Sequence, residues 1–133
     1  MTSGIQIIET GIASQIGRYA DAVRIPAGYD QIVLSGTPGL APDGTLPDGI
    51  AAQSEQAWTN VEAILAAAGA ALTDIVSVRQ WLRNADDVPA YVEVRKRFVE
   101  HRPTFMLGVD VGLVRPEFLV EIEVVAIVPP VSA

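Results

Sequence analysis

The 133-residue chain has no cysteine, which excludes disulfides, thiol nucleophiles and thiolate metal sites. It has one histidine, His101, and a single imidazole cannot build a zinc site alone. Positive charge is scarce as well: nine Lys and Arg face sixteen Asp and Glu, a net charge of −7. Nucleic-acid partners require phosphate-neutralising cations and are disfavoured on that ground. No apolar run reaches the roughly 18 residues needed to cross a membrane. The run nearest to that length, at 118–128, is broken by Glu121 and Glu123. The start, Met1-Thr2-Ser3-Gly4, lacks the basic and apolar regions of a secretory leader. The expectation is a soluble, cytoplasmic protein with no membrane partner.

What is present is apolar. Hydrophobic residues make up 50% of the chain and mean hydropathy is +0.32. The length predicts a single domain over 1–133 with a real core. The surplus of apolar residues predicts a permanent subunit interface, because obligate interfaces resemble a core cut in half.

Residues 118–128, Phe-Leu-Val-Glu-Ile-Glu-Val-Val-Ala-Ile-Val, read as a long strand rich in β-branched side chains. Alternation puts Val120, Ile122, Val124, Ala126 and Val128 on one face, and Leu119, Glu121, Glu123, Val125 and Ile127 on the other. If the second face is solvated, the glutamates are ordinary outward charges. If it is covered, Glu121 is a carboxylate in a partly dry place, where its proton affinity can be tuned.

Further strands are predicted at 5–9, 20–25 and 31–35, with turn chemistry at Pro26-Ala27-Gly28-Tyr29-Asp30 making the last two a hairpin. Residues 36–48 read as a functional loop. Asp48 is the candidate cap of a helix over 50–68, with Gly69 after its end. Ile50, Ala57, Val61, Ile64, Leu65 and Ala68 share its apolar face, and Trp58 beside them reads as packing rather than as a ligand contact. A strand at 74–82 puts Ile75, Ser77, Arg79 and Trp81 on one side and Val76, Val78 and Leu82 on the other. A second helix, capped by Asp86 or Asp87, carries Pro89 in its first turn and an apolar stripe of Val88, Tyr91, Val94 or Arg95, and Phe98; Pro103 stops it. His101, at its end, suits the helix dipole. Strands at 104–111 and 118–128, joined by a turn at 112–116, complete the order β-β-β-α-β-α-β-β.

That order predicts an α+β layer: a mixed six-stranded sheet with both helices on one face. The helices would cover Val120, Ile122 and Val124. The face carrying Glu121, Arg79, Trp81 and Ser77 is too apolar to be left bare, and a second copy of the chain would partly bury Glu121 there.

Four motifs in order resemble the Rid family, the YjgF-like reactive intermediate deaminases. They are Ile16-Gly17-Arg18-Tyr19-Ala20-Asp21-Ala22-Val23; Val33-Leu34-Ser35-Gly36; a helix carrying Gln53, Gln56, Asn60, Val61, Ala63, Ile64 and Leu65 before Ala67-Ala68-Gly69; and Val120-Glu121-Ile122-Glu123 with Ala126. The resemblance implies a chorismate-mutase-like fold, assembled as a homotrimer with the sheets forming an inner barrel and a small pocket at each subunit interface. It implies hydrolysis of enamines and imines to ketones and ammonia with no metal or organic cofactor. By the same resemblance Glu121 positions the attacking water, while Tyr19 and the backbone near Ser35-Gly36 line the pocket.

The sequence also departs from the family pattern. Deaminating members carry a carboxylate-clamping arginine two residues after the proline that follows the second helix, and here that position is Phe105. Phenylalanine cannot form a charge-assisted fork. Arg18 replaces a proline of the first motif, Thr37 replaces a glutamine after Ser-Gly, and Val92 stands where a pocket asparagine is found. The predicted substrate is therefore less dependent on a carboxylate, or is recognised through another cation, with Arg18, Arg79 and Arg102 as candidates. Two functions remain open: an imine or enamine hydrolase using Glu121 and Tyr19, and a non-catalytic trimer that binds a small metabolite. A ribonuclease role also attached to the family is opposed by the net charge of −7 and the lone histidine.

Overall fold

The computed structural model describes residues 4–131. Met1-Thr2-Ser3, on which the absence of a leader pattern partly rests, lies outside the described residues. The architecture is organised around the carboxy-terminal strand. Four strands come first along the chain: β1 (Gln6–Ile8), β2 (Ala22–Arg24), β3 (Asp30–Val33) and β4 (Thr37–Pro38). Helix α1 (Ile50–Ala67) is followed by β5 (Ile75–Leu82), α2 (Val88–Phe98), β6 (Thr104–Gly108) and β7 (Val120–Val128). β7 pairs antiparallel with β3 and β4 along one edge and with β5 along the other. β6 adds parallel to β5, so the connection between them must cross over, and α2 is that crossover.

The expected alternation of β7 holds from Val120 to Ala126: the even-numbered residues are buried, while Glu121, Glu123 and Val125 are half-buried. The even face joins a core with Ala57, Trp58, Val61 and Leu65 of α1 and Tyr91 and Val94 of α2. Both helices therefore cover one face of a mixed sheet. Trp58 is fully buried and stacks on Phe98 at 6.2 Å between ring centroids. Each large side chain buried this way contributes about 1.5–3 kcal/mol. One polar side chain serves the packing: buried Gln53 accepts from the Leu119 backbone N–H at 2.9 Å and donates to the Glu117 carbonyl at 3.2 Å, tying α1 to the entry of β7.

Several expectations are corrected. The sheet does not have six strands: among the described residues five form the main sheet, and β1 with β2 makes a separate two-stranded one. The hairpin expected at 20–35 does not form. Pro26 and Gly28 (φ +96°) do turn the chain, but β3 finds four partners on the longer β7 while β2 pairs with β1. The segment read entirely as loop contributes β4. The strand expected over 104–111 ends at Gly108. Gly49, with φ 87°, occupies the cap position of α1 in place of Asp48. A bulge between Ile75 and Ser77 turns Ile75 into the core.

Candidate functional site

A cavity of about 760 Å³ lies between α2, β6 and the irregular segment before β2. Local hydrogen bonding sets the wall carrying Tyr19. The Asp21 carboxylate accepts backbone N–H groups from Thr10, Gly11 and Ala13, at 2.5, 3.2 and 2.7 Å. Those bonds hold its carboxyl below the usual aspartate range. The Ala20 N–H donates to the Pro103 carbonyl at 3.1 Å. Arg102 pairs with Glu9 and donates to the Tyr19 carbonyl at 3.4 Å. With Gly17 beneath its ring, where an added Cβ would lie 3.1 Å away, Tyr19 is turned edge-on to Phe105, 5.7 Å between centroids.

The site residues expected from sequence fall into two groups. Tyr19, Arg18 and Phe105 line the cavity, on the helix-covered face. Phe105 sits in register with the core residue Val78. Glu121 belongs to the other face, paired in register with Trp81 and Pro38. Its carboxylate lies against Gly36: a Cβ added there would stand 2.8 Å from Oε1. Ser35 is exposed beside it, and buried Thr37 donates from Oγ1 to the Ser35 carbonyl at 3.0 Å. Arg79 is exposed on this same face, in register with Glu123. Within one chain the sheet thus separates Glu121 and Arg79, with Ser35 and Gly36 beside the carboxylate, from Tyr19, Arg18 and Phe105; Thr37, in register with the core residue Ile122, is buried on the helix side. Val33 is 71% exposed, and it stands with Met106 and Val125 on the Glu121 face, which no helix or strand among the described residues covers. Trp81 lies over Gly108 there and donates from its indole N–H to Glu123 Oε1 at 3.4 Å.

Three cavity residues were not singled out from sequence as functional: Arg95, Gln80 and His101. Val88, Val92, Arg95 and Val99 recur at helical spacing on the cavity wall. The stripe position left between Val94 and Arg95 is filled by both, Val94 in the core and Arg95 half-buried at the cavity. That helical spacing was the available signal. Gln80 is fully buried, and no periodicity argument marks a glutamine on a core face. Tyr91, fully buried behind it, donates its hydroxyl to Gln80 Oε1 at 2.5 Å, and burial pushes its phenol pKa upward. His101 Nε2 donates to the Ile75 carbonyl at 2.8 Å, which fixes the proton on that nitrogen, and desolvation holds the ring below the usual histidine range. Among the described residues no group of three or more His, Asp or Glu is placed to hold a metal ion, and no helix is long and apolar enough to cross a membrane.

Comparison with known proteins bears on this site. The family profile described as Endoribonuclease L-PSP matches residues 11–128. The chain is 32% identical over 126 residues to the 2-iminobutanoate/2-iminopropanoate deaminase of Dermatophagoides farinae, spanning 92% of this chain and 96% of that protein. A structure from Mycobacterium tuberculosis, described as a member of the YjgF/YER057c/UK114 family, superposes with a TM-score of 0.67 at 31% identity, covering 93% of this chain and 99% of that one. The Rid-family protein YyfB of Yersinia pestis gives a TM-score of 0.80 at 22% identity over 93% and 98% of the two chains, a likeness of fold.

Proposed function

This chain belongs to the Endoribonuclease L-PSP family, the Rid or YjgF-like proteins, and from that premise we propose that it hydrolyses small imines and enamines at a pocket completed between subunits. The observation that carries the reading is the lodging of the Glu121 carboxylate against Gly36, on a sheet face that no helix among the described residues covers. A carboxylate held there, flanked in register by Trp81, suits the orientation of one water molecule. The reaction asks little more. Water oxygen bonds to the imine carbon as one of its protons passes through Glu121 to the nitrogen; the carbinolamine hydroxyl proton then follows to that nitrogen, the C–N bond breaks, and ammonia leaves as the C=O bond forms. Holding both reactants in line supplies much of the acceleration. Tyr19 would bind the substrate or assist proton transfer from the cavity wall.

Because Tyr19 and Glu121 occupy opposite faces of one sheet, this reading requires a second copy to bring the two groups together. The assembly we propose is a homotrimer with the Glu121 faces turned inward, which would also cover Val33, Met106 and Val125. The second reading, a trimer that binds a metabolite without turning it over, draws on Phe105, an uncharged ring where the family resemblance leads one to expect an arginine. Glu121→Gln separates the two. Ammonia release from imines generated by an amino-acid oxidase is abolished under the first reading, whereas only ligand affinity changes under the second. Light scattering that finds a 14.1 kDa species at micromolar concentration would sink the interface pocket in both.

A further inference from the structure

The cavity beside α2 holds a cation that the hydrolysis scheme leaves without a role. Arg95 reaches over from α2 and lays its guanidinium 4.2 Å from the Phe105 ring centroid. Nη1 donates to Gln80 Oε1 at 3.0 Å. Gln80 is itself fixed: it is fully buried, Oε1 also accepts the Tyr91 hydroxyl, and Nε2 donates to the Met106 carbonyl at 3.0 Å. A guanidinium has five N–H donors in a planar fork. The bond to Gln80 uses one side of that fork, and among the described residues no carboxylate pairs with the rest. Its neighbours differ. Lys96 pairs with Glu93 at 3.2 Å, Arg97 with Glu55 at 3.7 Å, and Arg102 with Glu9. Arg18 and Arg79 are exposed, so water satisfies them. Arg95 is half-buried, and a cation withdrawn from water is costly unless an anion compensates it.

We infer that Arg95 is the carboxylate-binding, specificity-determining residue of this cavity, aimed by Gln80 and supported by the Phe105 ring. A planar carboxylate matches the free side of the fork. Val92, Val99, Leu107 and Phe105 supply an apolar wall for the rest of the molecule. The ligand class is a small 2-imino or 2-oxo acid with an apolar side chain. Its identity as a substrate rests on the hydrolase reading above, while the anion site stands on the geometry alone. Phe105 then does not abolish carboxylate recognition; it supports an arginine delivered from the helix.

The test uses 2-oxobutanoate, a stable stand-in for the imino acid, and 2-butanone, which lacks the carboxylate. Binding to the assembled protein is measured by calorimetry for wild type, Arg95→Met, Arg95→Lys and Lys96→Met, alongside turnover of 2-iminobutanoate generated in situ. Loss of a charge-assisted fork should weaken 2-oxobutanoate binding by about 10- to 100-fold in Arg95→Met. KM for the imine should rise by a similar factor with kcat retained, 2-butanone binding should not change, and Lys96→Met should match wild type. Should Arg95→Met not fold, Arg95→Lys decides: weakened 2-oxobutanoate binding supports the inference and wild-type affinity overturns it. Carboxylate binding that depends on Arg95, without any turnover, would uphold the anion site and defeat the hydrolase reading. Turnover with an unchanged KM in Arg95→Met, a loss that follows Lys96 instead, or no binding of 2-oxobutanoate by wild type would overturn the inference.

Discussion

Gly36→Ala tests whether the position of the Glu121 carboxylate matters for chemistry and not for folding. The added methyl would stand 2.8 Å from Oε1, 2.9 Å from Cδ and 3.2 Å from Cγ of Glu121. Carbon contacts settle at about 3.5–4.0 Å, so the carboxyl group must retreat by about 1 Å. It can do so, because it is the free end of a flexible side chain; an off-rotamer torsion costs about 0.5–1.5 kcal/mol. Gly36 is not at positive φ, so alanine is compatible with the backbone and its smaller unfolded-state entropy offsets about 0.4–1 kcal/mol of that cost. Net stability should stay within about 1 kcal/mol of wild type. A misplacement of about 1 Å in a catalytic group lowers turnover by about 100-fold. Gly39→Ala is the contrast. Its methyl would fall 2.2 Å from the Gln53 backbone oxygen, which α1 holds in place, so stability should drop by about 1–3 kcal/mol or more. Urea denaturation and ammonia release, measured on both variants, separate the two effects. Gly36→Ala with full activity and full stability would refute the role given to the carboxylate. Gly36→Ala as unstable as Gly39→Ala would refute the claim that Glu121 is free to move.

Trp58→Ala should cost about 3–5 kcal/mol, read from the denaturant midpoint, since the indole is fully buried and stacked on Phe98; a loss under about 1 kcal/mol would contradict that packing. His101 titrates below its ordinary value of 6.5 in the folded chain. The unfolded chain therefore takes up the proton first, so this contribution to stability is full above about pH 6.5 and is lost as pH falls through the window beneath it. His101→Gln should flatten stability against pH in that interval, and a slope identical to wild type would exclude the histidine as its source.

The layer arrangement was legible because β7 is long and its period of two is clean: Val120, Ile122 and Val124 could only share a face, and that face had to meet the helices. Trp58 was legible for a similar reason, lying beside the apolar stripe of α1. The pairing of β1 with β2 was not, because short strands carry no record of which partner they choose, and the turn at Pro26–Gly28 suits a hairpin equally well. The bulge that turns Ile75 inward likewise leaves no trace in the alternation. At the site, parity placed Glu121 on the face away from the helices. Nothing comparable fixed Tyr19, because residues 13–20 form a 3-10 turn and irregular chain with no period to read. The sequence leaves one stripe position open between Val94 and Arg95, and a charged residue at a helix edge ordinarily points to water; the buried Gln80 amide, unremarkable as a letter in a strand, turns Arg95 toward the cavity.

The mounting of that arginine has a consequence for how the pocket can diversify. Its charge is carried on the crossover helix and is joined to the sheet by one side-chain hydrogen bond, at Gln80. Positions 88, 92 and 95 of α2 form one face of the cavity wall at successive turns. Exchanges at these helix positions can rewrite ligand charge and width while the strand ladders and the Glu121 face remain as they are. Selectivity and scaffold are thus separable in this fold, and a library restricted to one wall of α2 is the compact route to a new ligand preference.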